Sequence, residues 1–370
     1  MLKTIIHTLS ILFIGITYCN PTVCELSIQT KQDLAFIYKT LVENHPGYHN
    51  TWDPVFKQIL EKSYNAALEA SNTVSSLEEY AHILQTFAHS FDDEHLAIRM
   101  LPIIPHPRTV AAFTAEEITP DIIWVTLPTF NLQAIQQPQL KQQQLNSIIE
   151  HMPAWREKKV IVFDVRGNDG GSSYWAERIV KSLFSYDYAT TKMNKQKRDT
   201  YIEWCASHDN LNHLKTYLTT FQEQWGLESD EYKEMSVLCR GMQTALQENK
   251  MYFLEKPDTS YSTDASNPVK AKIIVIIDKQ CKSACLSFID HLKAVTNVTL
   301  MGETTRYDRL YMDARIVVLP SGHAQLRFPM KVYRNRFRDD KQPYHPDVSL
   351  SLDQLSNVDT LKEFVLLTIC

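Results

Sequence analysis

Glycine is scarce in this chain, with 9 in 370 residues. Three of the nine, Gly167, Gly170 and Gly171, fall within five consecutive positions. A chain that otherwise avoids glycine and gathers it in one place needs bare backbone there, for a left-handed turn or for close approach to a ligand. Other absences narrow the chemistry. No Gly-x-Ser-x-Gly occurs, which argues against the usual nucleophile elbow of α/β-hydrolases. The seven cysteines contain no Cys-x-x-Cys, so thioredoxin-type redox chemistry and a zinc ribbon lack support. Neither His-Glu-x-x-His nor a phosphate loop is present, and no metal or other cofactor is expected. Basic residues are scattered, the net charge is −5 and the pI about 6.2, which excludes the electrostatic footprint of a nucleic-acid binder.

What is present begins with an ordinary globular composition, 44% hydrophobic, in a chain long enough for a large core. Met1-Leu-Lys3 precedes an apolar run from about Thr4 to Tyr18. That run is short of the roughly 20 apolar residues of a membrane span and reads as a secretory signal over residues 1–24. The expectation is a secreted or periplasmic protein with no stable membrane span after signal removal. In an oxidising compartment some cysteines should pair. Cys205 and Cys239 could staple a helical segment, and Cys281 and Cys285 could pair or stay reduced.

Two segments carry the candidate chemistry. Lys159-Val-Ile-Val-Phe-Asp164 reads as a buried strand that ends in Asp164-Val-Arg166-Gly167-Asn168-Asp169-Gly170-Gly171. Backbone N–H groups freed by such glycines can hold an anion or an oxyanion. Lys272-Ile-Ile-Val-Ile-Ile-Asp278 is a second buried strand, followed by a turn into a helix with Ser283 near its start. A serine there is either a helix cap or a nucleophile met by main-chain donors. Phe91-Asp92-Asp93-Glu94-His95 supplies an acidic turn with a histidine, whose ordinary pKa suits proton transfer near neutrality.

Taken in order, these motifs resemble the C-terminal-processing (tail-specific) serine peptidase family in its tricorn-core branch. Asp164-x-Arg166-x-Asn168-x-Gly170-Gly171, Ser283-Ala284, Gly302-Glu303-Thr304-Thr305 and His345-Pro346-Asp347 follow one another across about residues 85–350. The resemblance implies an α/β fold with a Clp protease/crotonase-like ββα spiral core, and peptide or protein substrates. It makes Ser283 the nucleophile and His95 the general base. Gly170, Gly171 and Ala284 then supply oxyanion N–H groups, and Asp340 is the nearest match to the supporting acid. Glu94 is a further candidate for orienting His95. Where a Ser–Lys dyad would place its lysine, the chain has Arg306-Tyr307-Asp308, so that dyad is excluded.

The expected organisation is a helical N-terminal domain over 25–100 ending in the histidine turn, a first core part over 101–185, a helical insertion over 186–268 that could act as a lid, and a second core part over 269–370. Only about 25 residues separate the histidine turn from the strand that opens the core, too few for a PDZ domain. Two other functions stay open: a degenerate relative that binds peptides or apolar ligands, and a serine esterase.

Overall fold

The computed structural model describes residues 23–102, 109–132, 135–257 and 259–369. The expected signal segment therefore lies almost wholly outside the described residues. The chain opens with three helices, α1 (Val23–Asn44), α2 (Pro54–Ala70) and α3 (Leu77–His89). β1 (Ala97–Met100), β2 (Thr114–Thr119), β3 (Ile122–Thr126), α4 (Pro138–His151), β4 (Val160–Asp164) and α5 (Ser173–Phe184) follow. Then come α6 (Tyr186–Lys197), β5 (Tyr201–Cys205), α7 (His208–Trp225), α8 (Asp230–Gln247) and β6 (Tyr252–Glu255). The last stretch holds β7 (Lys272–Ile277), α9 (Ala284–Val295), β8 (Val298–Gly302), β9 (Tyr311–Val318), β10 (Ala324–Arg334), β11 (Val348–Ser349), α10 (Leu352–Ser356) and α11 (Val358–Ile369).

A six-stranded sheet runs in the order β11-β8-β7-β4-β3-β2, parallel except for β2. Its central strands β3, β4 and β7 are continuous apolar runs because both faces are covered, whereas the edge strand β2 is polar and exposed. Ile161, Phe163, Ile273 and Val275 point to the side packed by α4, α5 and α9. Val160, Val162, Ile274 and Ile276 point to the other side, against Leu361 and Val365 of α11. The carboxyl ends of β4 and β7 lie side by side. Loops at that end of an open parallel sheet are where such folds build their sites.

A second sheet is centred on the long strand β10, which pairs with β1, β5 and β9, while β5 also pairs with β6. Two expectations change here. The N-terminal helices do not enclose a core of their own: Leu34, Leu41, Tyr80 and Phe87 share one with Tyr311, Leu326 and Phe328 of β9 and β10. The insertion is not purely helical either, since β5 and β6 belong to this sheet. In β5 the buried Ile202 and Trp204 alternate with half-buried Tyr201 and Glu203, a strand pattern. Four- and five-residue strands between long helices show too little period to stand out. Cys205 and Cys239 are free and buried; Cys239 packs in a cluster with Trp204 and Met330, whereas the Cys205 thiol donates to the Glu43 carbonyl at 3.6 Å, so they form no staple.

The N-terminal core also sets an acid sensitivity. His45 is fully buried, stacks on Phe56 and accepts a hydrogen bond from Gly47 N–H at 2.9 Å, leaving Nε2 without a partner. Burial pushes its imidazole down to about 3. Below the ordinary value near 6.5 the unfolded chain binds a proton here that the folded chain refuses, so stability falls as the pH falls through this window. The expected loss from this group at pH 5 is about 2 kcal/mol. Urea unfolding at pH 7 and pH 5 checks this, with His45→Asn expected to flatten the difference.

Candidate active site

The loop after β4 is organised around its polar residues. Asp164 and Arg166 form a bidentate pair at 2.6–2.8 Å, and Arg166 also donates to the Leu355 carbonyl. Asn168 is fully buried: its amide donates to the Leu127 carbonyl at 2.9 Å and its oxygen accepts the Gly170 N–H at 3.0 Å. Asp278, at the end of β7, accepts the Gly167 N–H at 2.8 Å. That bond ties the glycine loop to the loop that carries Ser283.

Both glycines of the pair are sterically required. Gly171 sits at φ +131°, and a Cβ there would lie 2.1 Å from the Phe130 backbone. Gly170 sits at φ +92°, and its Cβ would lie 2.7 Å from that of Ser283. Gly171→Ala combines a strained backbone with a main-chain clash and should lower stability by about 3 kcal/mol or more in urea unfolding.

Ser283 precedes α9 with φ +53° and ψ −122°, a conformation that side chains other than glycine adopt only under constraint. Three constraints are visible. Its N–H donates to Asp308 Oδ1 at 2.9 Å, its carbonyl accepts the Ser287 N–H at 3.1 Å, and a disulfide joins Cys281 to Cys285 on either side of it. The hydroxyl makes no capping bond to the helix. Helix capping, the bland reading of this serine, therefore does not describe it. Ser283, Ala284 and Gly171 line one cavity of about 670 Å³. Ser173 and Glu177 of α5, Ser287 and His291 of α9, and Val237, Leu238 and Phe253 from α8 and β6 line it as well.

The candidate oxyanion donors separate on inspection. The Gly170 N–H is taken by Asn168 and that of Ser283 by Asp308. Gly170 thus serves by its missing side chain rather than as a donor, a correction to the expectation. Gly171 and Ala284 have no hydrogen-bond acceptor for their N–H groups among the described residues. In the bridge between Phe130 and Gly171 the bonds run from Phe130 N–H to the Gly170 carbonyl and from Ser172 N–H to the Phe130 carbonyl. The Gly171 N–H is left pointing away.

His95 lies in the turn between α3 and β1, 8% exposed. Its N–H donates to Asp93 Oδ1 at 2.8 Å, and its ring Nδ1 lies 3.4 Å from the same oxygen. Both Nδ1 and Asp93 Oδ2 are buried without a hydrogen-bond partner, so a small ring rotation would satisfy the pair. His95 faces a neighbouring hollow lined by Thr305, Asp308 and Arg309. No hydrogen bond joins it to Ser283 among the described contacts. Two links bring the residues into one neighbourhood: Asp308 borders the histidine hollow while holding Ser283, and Lys282 bonds Glu94 at 2.5 Å.

The two acids expected near His95 are committed elsewhere. Asp340 pairs with Arg309 at 3.0 Å and accepts the Leu310 N–H at 2.9 Å. Despite partial burial, Lys282 and Arg306 hold the Glu94 carboxyl below the usual range. Asp93, two residues before the histidine, is the carboxylate at its ring. Its signal in the sequence was an Asp-x-His spacing inside an acidic run that gave no means of ranking Asp92, Asp93 and Glu94. Among the described residues no cluster of His, Cys, Asp and Glu could hold a metal, and no helix is long and apolar enough to cross a membrane.

Residues 121–350, well over half of the chain, match the family described as peptidase family S41. No curated protein matches the chain. Among solved structures, mature CPAF complexed with lactacystin superposes with a TM-score of 0.59 at 11% identity, over 92% of this chain and 98% of that one. Mature CPAF alone gives 0.57 at 10% identity, over 88% and 93%. A proposed peptidase from Parabacteroides merdae ATCC 43184 gives 0.52 at 14% identity, over 92% and 97%. At such identities the likeness establishes the fold, a Clp protease/crotonase-like α/β architecture.

Proposed function

Since the chain belongs to peptidase family S41, we propose that it hydrolyses peptide bonds by a Ser–His mechanism. The observation that carries the reading is Ser283 itself. It is a non-glycine residue held at positive φ, with a hydroxyl released from capping and set beside two N–H groups that have no acceptor among the described residues. Ser283 Oγ attacks the substrate carbonyl, and the Gly171 and Ala284 N–H groups receive the oxyanion. His95 takes the hydroxyl proton and returns it to the leaving amine. Asp93 orients the imidazole, and closure of the Ser283–His95 distance accompanies substrate binding, since such bonds are often long in the free enzyme. The 186–268 segment covers the cavity through α8 and β6. The buried Cys281–Cys285 disulfide fits a secreted or periplasmic protein.

The test is reaction of the purified protein with a fluorophosphonate, read by intact mass and peptide mapping. A single adduct on Ser283 that weakens strongly in His95→Ala supports the mechanism. Absence of any adduct in the folded protein would instead favour a degenerate relative that binds peptides, a reading to which the missing Ser283–His95 bond lends some weight.

A further inference from the structure

The cavity that holds Ser283 extends well past it. Ser283, Ser287 and His291 recur every four residues along α9 and all line it, so they form one stripe. Ser173 and Glu177 of α5 stand opposite, and Gln196 and Lys197 at the end of α6 border it too. The carboxylates in this cavity are already engaged. Glu177 pairs with Lys181 at 2.5 Å and Asp313 with Lys331 at 2.6 Å. Glu255 accepts the Trp204 indole N–H, Asp290 bonds Tyr344 and Arg338, and Glu234 also has a partner.

Two polar groups are not so engaged. The Lys197 ammonium makes no hydrogen bond and no ion pair within 4 Å among the described residues, though its charge is felt by both Glu177 and His291. His291 is 6% exposed and its Nδ1 is buried without a partner. Burial pushes its imidazole down to about 4, so the ring is neutral at pH 7 and can donate one N–H. Lys181, Glu177 and Lys197 together carry one surplus positive charge around that ring, and Asp290, the other carboxylate that acts on it, is held by Arg338 and Arg336. A half-buried ammonium with no protein partner among the described residues and a neutral imidazole with an unsatisfied nitrogen thus border one cavity, where an anion would gain a positive charge and an N–H donor together.

We propose that Lys197 and His291 form a carboxylate subsite for the peptide substrate, filled by either its C-terminal carboxylate or an acidic side chain. Eight residues of helix separate Ser283 from His291, about 12 Å at the α-helical rise. An extended peptide covers that length in roughly three to four residues. The favoured substrate therefore carries a carboxylate three to four residues from the bond that is cut. This rests on the peptidase reading for its meaning, but the subsite can be measured without turnover.

The experiment is fluorescence anisotropy of labelled peptides with the full chain carrying Ser283→Ala. Three apolar hexapeptides serve as probes: one with a free C-terminal carboxylate, one amidated, and one amidated with a single Glu. At least tenfold tighter binding of the free acid identifies the C-terminus as the occupant, and the same gain for the Glu peptide identifies a side chain. Lys197→Met should remove the gain and Lys197→Arg should retain it, with thermal melts reporting that both variants fold. Equal affinity for all three probes overturns the subsite, as does a gain that survives Lys197→Met. Fluorophosphonate labelling of the unmutated protein judges the peptidase reading separately, so either idea can fail alone.

Discussion

Ser283→Ala is expected to lower kcat/KM on a peptide substrate by about 10⁴-fold or more and to abolish the fluorophosphonate adduct. Alanine meets the same backbone restriction as serine at φ +53°, and the hydroxyl it removes makes no bond to the helix. The melting temperature should therefore stay nearly unchanged, which makes the variant a clean test of chemistry. Ser283→Gly removes the hydroxyl and relieves the backbone as well. It should be equally inactive yet more stable, by about 1 kcal/mol after the entropy of the added glycine is counted. A stabilised, inactive glycine variant would show that the fold sustains strain at this residue for the sake of its function. An unchanged or lower stability would contradict that view.

Asp308→Ala should have the largest effect on stability of any change near the site. Asp308 is 4% exposed and faces Arg338, itself 2% exposed, at 3.2 Å. Arg336 stands 3.7 Å from the same oxygen, and the other oxygen accepts the Ser283 N–H. Removing the carboxylate leaves two largely buried guanidinium groups to share Asp290, at 3.3 and 3.5 Å. Breaking a buried pair from one side typically costs about 3–5 kcal/mol. It also frees Ser283 from one of its three constraints, so the rate of fluorophosphonate labelling should drop even at temperatures where the variant is folded. Asp308→Asn keeps an oxygen for the Ser283 N–H and loses only the charge. It should melt lower than the unmutated protein yet label faster than Asp308→Ala. Equal labelling rates in the two variants would show that the bond to Ser283 does not position the nucleophile.

The two predictions concern residues that differ in how far the sequence exposes them. Ser283 is visible because it follows a run of β-branched residues and opens a helix, and because the glycine cluster of a second strand end marks the partner loop. Asp308 is visible only as an exception, an acid where a dyad lysine would stand. Its bonds to Ser283 and Arg338 span 25 and 30 residues. Nothing local distinguishes it from Asp339 or Asp340, and Asp340, favoured by position, turns out to hold Arg309.

Local chemistry thus determined the parts of this protein whose signals are short in range. The apolar runs of β4 and β7 fixed a sheet buried on both faces. The density of glycine at 167–171 fixed a loop pressed against another backbone. The serine at a strand-to-helix turn fixed the candidate nucleophile. Tertiary structure alone decided which polar groups are left over. Gly170 loses its N–H to Asn168, Glu94 is taken by Lys282 and Arg306, and Asp93 is left facing His95. It also made the 186–268 segment part of the second sheet, through β5 pairing with β10 some 130 residues later. The reason is common to all of these. Backbone propensity and hydrophobic period act over a few residues, whereas hydrogen-bond satisfaction is a competition among all groups that the fold brings together, and its outcome depends on distances that only the folded chain possesses.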